Sequence, residues 1–201
     1  MNLLISGGCK NGKSYYAQRR AQGMHKELVR RMGAEAPSLY YLATMEPKDE
    51  EDVARIKRHV EERKGWGFTT IEKGRDLCAC LKKEGENEQE GLADPRGVFL
   101  LDSVTALLSN EMFGGDGSFQ ISAPEKVADS LFTFAKMTGN VVFVSDYIYS
   151  DAGHYEALTE KYREGLAYVD RVLAGCCQQV IEVAYGTVNY FKNEGGGEVE
   201  L

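Results

Sequence analysis

The residues Gly7-Gly8-Cys9-Lys10-Asn11-Gly12-Lys13-Ser14 combine types and spacing that suit phosphate binding. They fit G-x-x-x-x-G-K-[ST], the P-loop pattern. Glycines let the backbone curl until consecutive N–H groups point at phosphate oxygens. A helix starting at the end of such a loop adds its positive dipole end. Lys13 reaches the outer phosphates as a point charge, and Ser14 offers a hydroxyl to Mg²⁺. The competing reading is a glycine-rich turn that binds nothing. The apolar run Leu3-Leu4-Ile5 before the loop and a helical pattern after it favour the phosphate loop.

Two further constellations could join it. Val98-Phe99-Leu100-Leu101 closes on Asp102. A buried strand ending in a carboxylate suits the second P-loop element, whose Asp holds Mg²⁺ directly or through water. Arg55, His59 and Arg63 fall at i, i+4 and i+8, on one helix face. That face suits phosphate handling, although the spacing by itself favours a surface histidine on a solvated basic face. His25 and His154 lack such a setting and read as surface residues.

The elements that must position these groups follow from hydropathy and punctuation. Residues 2–6 read as a strand and Lys13 to about Arg31 as a helix, ended by Gly33 and Pro37. Leu39 to Ala43 is a second strand, and Asp49 to Arg63 a helix with acidic residues in its first turn. Val53, Ile56 and Val60 mark its expected buried stripe. Phe68 to Glu72 is a third strand, and Gly74 to Lys83 a short helix. Glu84 to Gly97 is a polar, acidic loop. After the strand ending at Asp102 come a helix from Ser103 to Met112, a loop at 114–117 and a helix from Pro124 to Met137. Val141 to Ser145 is a strand, and Ala152 to Gly175 a long helix. Val180–Ala184 and Val188–Phe191 flank Tyr185-Gly186-Thr187 as a hairpin. Strands alternating with helices predict an α/β fold, P-loop NTPase-like, with a mainly parallel sheet, helices on both faces and a C-terminal antiparallel hairpin. Residues 1–192 form the expected single nucleotide-binding domain, and 193–201 a Gly-rich tail. In such sheets ligands sit at the carboxyl ends of strands, which brings Ser14, the loop after Ala43 and Asp102 to one edge.

Composition narrows the class. A net charge of −7 over 201 residues argues against broad nucleic-acid or membrane-surface binding, so an anion site must concentrate positive charge locally. No apolar run is long enough for a membrane span and no leader pattern precedes the first strand, so the chain reads as cytoplasmic. The five cysteines, Cys9, Cys78, Cys80, Cys176 and Cys177, include no C-x-x-C and suit neither a disulfide framework nor a zinc site. Reduced, mostly buried thiols are expected.

Taken in order, the motifs resemble the bifunctional adenosylcobinamide kinase / adenosylcobinamide-phosphate guanylyltransferases of cobalamin biosynthesis. The resemblance covers nearly the whole chain. It runs from the Gly7-Gly8 P-loop through Tyr41-Leu42-Ala43-Thr44, Arg55-Ile56, His59 and Arg63, then Thr70 and Glu72. It continues with Leu101-Asp102-Ser103-Val104-Thr105, Asn110, Tyr162-Arg163, Leu173-Ala174 and the terminal hairpin. This chain departs from the pattern in places. Ser145-Asp146-Tyr147 stands where the family usually has Asn-Glu, and Ala167 and Asp170 stand where it has Gly and Asn. Phe68 replaces a tryptophan two residues before Thr70.

The resemblance implies that His59 is the histidine that becomes guanylylated, which shifts the reading of that residue toward function. It implies nucleotide contacts at Gly7, Gly8, Cys9, Lys10, Asn11, Gly12, Lys13, Ser14, Ala43, Thr44, Met45, Val60, Glu61, Glu62, Arg63, Glu72 and Asp102. Mg²⁺ would rest on Ser14 and Asp102, with GTP or ATP as substrate, a corrinoid acceptor and a homotrimeric assembly. Lys13 and His59 are then the catalytic pair. Two other classes remain open on the residues alone: a P-loop kinase for a different small alcohol, and a non-catalytic nucleotide-dependent binding module.

Overall fold

Seven strands form one sheet in the order β3-β2-β4-β5-β1-β6-β7. The structure is a computed structural model and describes residues 1–82, 92–114 and 117–194. The strands are β1 (Leu3–Ser6), β2 (Leu39–Ala43), β3 (Phe68–Glu72), β4 (Val98–Asp102), β5 (Val141–Val144), β6 (Gln179–Ala184) and β7 (Thr187–Asn193). All pairings are parallel except β6 with β7. The helices are α1 (Lys13–Met32), α2 (Glu50–Glu62), α3 (Val104–Met112), α4 (Ala123–Thr138) and α5 (Ala157–Cys176).

The alternation of strand side chains builds two cores. Leu3, Ile5, Tyr41, Leu100 and Val144 pack on one face with Tyr16, Ala17 and Ala21 of α1. Leu4, Leu42, Phe99, Leu101 and Phe143 pack on the other, with residues of α3, α4 and α5. Helices therefore cover both faces, as expected. The central strands are apolar because both faces are covered. Burying side chains such as Phe99 and Phe143 at 0% exposure stabilises the fold by about 1.5–3 kcal/mol each. The β6–β7 loop is the dipeptide Tyr185-Gly186, with φ of 52° and 73°. Positive φ at both central positions matches the strand twist, and so the strand resumes at Thr187.

Five local expectations are corrected. The stripe Val53, Ile56 and Val60 is not a core stripe: α2 buries none of its residues, and Val53 and Val60 are 40% and 43% exposed. The helix expected over Gly74–Lys83 is only a 3₁₀ turn at Leu77–Cys80; Asp76 takes a left-handed backbone that blocks helix propagation, and Lys83 lies outside the described residues. The long final helix begins at Ala157 rather than Ala152. Asp151 accepts the Gly153 N–H at 3.1 Å, and such a local side-chain bond competes with helix. Arg163 then fixes that segment through Asp151, Glu160 and the Ile148 carbonyl. Of the thiols, Cys80 and Cys177 are buried, Cys9 is exposed, and Cys78 and Cys176 lie between; all five are free. His25 is half-buried, with Nε2 3.0 Å from the Pro37 carbonyl, whereas His154 is exposed. Parts of the loops at Glu84–Gly97 and 114–117, and the tail from Gly195, lie outside the described residues. Among the described residues, no helix is long and apolar enough to cross a membrane.

Candidate active site

Between β1 and α1 the chain turns through Gly7, Lys10 and Gly12, all at positive φ. Gly7 has to be glycine: a Cβ there would run into the Asn11 amide and the Val183 carbonyl. Asn11 ties the loop to β6 by donating to that same carbonyl, and its Oδ1 accepts the Lys13 N–H at 3.2 Å. Gly12 caps α1 without a side-chain hydrogen bond, so the Ser14 and Tyr15 amides that follow Lys13 remain available to an anion.

Lys13 is not on a solvated loop. It opens α1, is 7% exposed, and its ammonium sits 2.6 Å from Asp146 Oδ1 and 3.1 Å from the Gly8 carbonyl. Asp146 follows β5, whose neighbours are β1 and β4. Its backbone N–H donates to Thr105 Oγ1 at 2.9 Å, which fixes the strand end. In the sequence Asp146 stands out only as a departure from the family pattern. A carboxylate just past a buried strand is the signal that could have found it, the same one that marks Asp102.

A cavity of about 350 Å³ opens next to the loop. Its lining brings together Ser14, Ala43, Met45, His59, Arg63, Glu72 and Asp102 from the expected set. Tyr41, Val53, Ile56 and Lys57 also line it. The apolar face of α2 thus borders a cavity instead of a core. Lys57, one turn after Val53, is a cation that helical spacing alone does not single out. Gly7 to Lys13 lie outside this lining, as do Thr44, Val60, Glu61 and Glu62.

Several of those have other partners. Thr44 is fully buried; its hydroxyl donates to the Ser103 carbonyl at 2.8 Å and accepts the Ser103 N–H at 2.7 Å. Asn110, also buried, donates to the carbonyls of Thr44 and Gly74 and so clamps the loops after β2 and β3. Glu61 pairs with Lys64.

The basic face around His59 does not form as the spacing suggested. Arg55 turns to Glu51 and Asp52, each at 3.6 Å. Arg63 is buried and lies over the Tyr41 ring, 3.8 Å from its centre. His59 Nδ1 instead meets Glu62 Oε2 at 3.1 Å. An ionised carboxylate only accepts, so in the neutral imidazole this contact selects the tautomer with the proton on Nδ1 and the lone pair on Nε2.

At the floor, the Tyr41 hydroxyl donates to Asp102 Oδ2 at 2.8 Å. Burial pushes the Tyr41 phenol well above its ordinary pKa, and the Asp102 charge adds to that. The phenol is therefore a fixed donor. Asp102 Oδ1 takes no hydrogen bond among the described residues and shares the cavity with Ser14, a donor pair that fits a hard cation such as Mg²⁺.

A glycine-rich loop between the first strand and helix, at the carboxyl edge of a parallel sheet, defines a P-loop nucleoside-triphosphate-binding fold. A solved ATPase domain shares that fold with a TM-score of 0.50 at 10% identity, over 98% of this chain and 78% of that one. The profile of the family described as cobinamide kinase / cobinamide phosphate guanyltransferase matches residues 3–189, and the chain belongs to this family. The bifunctional adenosylcobalamin biosynthesis protein CobU of Salmonella typhimurium is 25% identical over 196 residues, covering 92% of this chain and 97% of that protein. Its namesake from Escherichia coli is 24% identical over 197 residues, with the same coverage.

Proposed function

We propose that this enzyme phosphorylates the hydroxyl of adenosylcobinamide and then transfers GMP from GTP to the resulting phosphate through His59. The observation that carries this reading is that His59, Ser14 and Asp102 line one cavity although they come from three separate elements. A nucleotide held by the loop from Gly7 to Ser14 would extend its base over the apolar lining of Met45, Val53 and Ile56. Residues 43–45, 60–63 and Glu72 would surround the remainder.

In the kinase step the acceptor hydroxyl attacks the γ-phosphate, the bond to the β–γ bridging oxygen breaks, the nucleoside diphosphate leaves and the hydroxyl proton passes to solvent. Lys13 neutralises the charge that develops once phosphate draws its ammonium from Asp146. Mg²⁺, held by Ser14 and Asp102, would supply further charge neutralisation. In the transferase step His59 Nε2 attacks the α-phosphate, the bond to the β-phosphate oxygen breaks, and pyrophosphate leaves. Nδ1 keeps its proton, and the Glu62 carboxylate stabilises the positive charge left on the ring. The phosphorylated cobinamide then takes GMP from His59, which splits one difficult displacement into two. Lys57 and Arg63 would meet the charge on the α-phosphate. We place this single domain, residues 1–192, in a cytoplasmic homotrimer.

Incubation with α-labelled GTP and Mg²⁺ tests the reading. The protein should acquire an acid-labile, alkali-stable label. His59→Ala should lose the label and GMP transfer while retaining γ-phosphoryl transfer to cobinamide. Cobinamide phosphorylation by a wild-type protein that takes no label would favour a kinase alone, and nucleotide binding with neither reaction a binding module. Equal loss of both activities in a folded His59→Ala variant would make His59 an ordering residue.

A further inference from the structure

On the sheet face opposite α1, a groove of about 410 Å³ runs between α5 and the β6–β7 hairpin. Leu4, Ala174 and Val180 line its apolar floor, Tyr147 and Phe191 its rim, and Asp170 one wall. Tyr147 is 45% exposed and Phe191 72% exposed. The upper end of the groove abuts the phosphate loop. Ser6, which lines it, directly precedes Gly7, and the Tyr147 N–H donates to the Gly7 carbonyl at 2.9 Å. Asp146, one residue before Tyr147, holds Lys13.

Asp170 is the unusual group. It is 5% exposed, and its Oδ2 accepts hydroxyl donors from Ser145 at 2.9 Å and Tyr149 at 3.0 Å. Its Oδ1 is buried with no partner among the described residues, and no cation among them pairs with it. A buried carboxylate oxygen left without a donor is costly, and a buried polar atom lacking a partner at a cavity wall calls for a ligand donor. Ser6, Arg171 and Glu182 also line the groove, but most of its surface is apolar and aromatic, so that donor belongs on a largely apolar body. An ammonium is not required, since two hydroxyls already bear on Oδ2.

We propose that this groove receives the carboxamide-fringed edge of the corrinoid acceptor, with a primary amide N–H donated to Asp170 Oδ1 and ring hydrocarbon lying against Tyr147 and Phe191. This inference rests on the corrinoid reading of the active site and adds to it the place of the acceptor. A groove of this volume accommodates one edge of so large a macrocycle. The rest, including the arm that bears the hydroxyl, stays outside and is free to reach over the phosphate loop. Ser145 and Asp170 are both departures from the family pattern, and they share one hydrogen bond, so Ser145 supports the Asp170 wall from behind the groove.

Two variants test the groove without touching the nucleotide cavity: Ala174→Phe, which fills the floor, and Tyr147→Ala, which removes the rim. Each is assayed for the KM of cobinamide phosphorylation, for self-labelling by α-labelled GTP, which needs no acceptor, and for oligomeric state by light scattering. The expected result is a KM for cobinamide raised at least tenfold by Ala174→Phe and several-fold by Tyr147→Ala, with self-labelling within twofold of wild type. Cobinamide with its carboxamides hydrolysed to acids should bind wild type at least tenfold more weakly, because a carboxylate would face Asp170. An unchanged KM in both folded variants would overturn the groove assignment while leaving the function intact. A changed oligomeric state with an unchanged KM would also overturn it, by making the groove a contact between copies. A wild-type protein that never phosphorylates cobinamide would instead overturn the corrinoid reading itself, and this inference with it.

Discussion

The phosphate loop, which reaches the cavity through Ser14, and helix α2, which lines it, come from opposite structural conditions. The loop grows from β1, a central strand with Leu3 and Ile5 fully buried, and ends in α1, whose Tyr16, Ala17 and Ala21 pack into the core. Its chief side chains are held: Asn11 to β6, Lys13 to Asp146. Helix α2 has an N-cap, Asp49, that accepts from the Asp52 N–H at 2.8 Å, and little else that anchors it. None of its residues is buried, and His59 sits on it with a 43% exposed side chain. Its firm attachment is Arg63, just past its end, stacked on the Tyr41 ring whose hydroxyl holds Asp102. A triphosphate cradle gains from being preformed, because reorganisation at the moment of reaction is costly. A residue that must accept a group and then hand it to a second substrate gains from a carrier with few core contacts.

The contrast can be broken, most severely, at the sheet. Phe99→Ala should cost about 3–5 kcal/mol, as truncations of fully buried aromatic side chains do. Denaturant titration measures it, and a loss under about 1 kcal/mol would show that this core is not the foundation of the site.

The rigid half also carries a buried charge. Burial raises the Asp170 carboxyl from 3.8 to about 6, against opposing hydrogen bonds from Ser145 and Tyr149. A carboxyl raised in the folded state favours folding most at low pH, and that stability is lost as pH rises from 3.8 to about 6. Asp170→Asn keeps the acceptor for both hydroxyls and removes the charge. The variant should be more stable than wild type by about 1–3 kcal/mol at neutral pH, with the gap closing near about pH 4. Thermal melts at the two pH values check this; a gap independent of pH would show that the carboxyl does not titrate in that window.

Lys13→Ala should reduce cobinamide phosphorylation by about 100-fold or more, the scale for losing one donor to transition-state charge. Its effect on melting temperature should be small, because the Asp146 carboxylate it leaves behind is partly exposed. Wild-type turnover in the folded variant would move the cradle elsewhere.

Glu62→Gln separates the two halves of the site. The amide oxygen still accepts from His59 Nδ1, but the charge that would steady a guanylylated ring in the proposed mechanism is gone. Self-labelling should slow by about tenfold and γ-phosphoryl transfer should hold, consistent with removing one charge-assisted hydrogen bond. Equal slowing of both steps would mean that Glu62 supports the cavity as a whole.

The smallest effect should come from α2 itself. Val53→Ala should change stability by less than about 0.5 kcal/mol, as for an exposed site. A core-sized loss would show that α2 is packed as firmly as α1.

Strand positions, the loop at Gly7–Ser14 and the hairpin were legible in the sequence because each depends on local chemistry. Runs such as Val98–Leu101 are apolar throughout because both faces are covered, Gly7 and Gly12 supply backbone states that other residues resist, and Tyr185-Gly186 fits a two-residue turn. The spacing that placed His59 on a helix was equally local. What that helix does with its apolar stripe was not, since Val53 and Ile56 have the same periodicity whether they meet a core or a cavity. Nor could spacing show that Arg55 would turn to Glu51, that Arg63 would stack on Tyr41, or that His59 would find Glu62. Lys13 and Asp146 are far apart in the chain and meet because β5 lies beside β1. Asp170, on α5, meets Ser145 and Tyr149 from the segment after β5, and its Oδ1 lacks a partner among the described residues. Periodicity fixes which face of an element is apolar; only the packing of distant elements decides what that face meets and which charges are left without a partner.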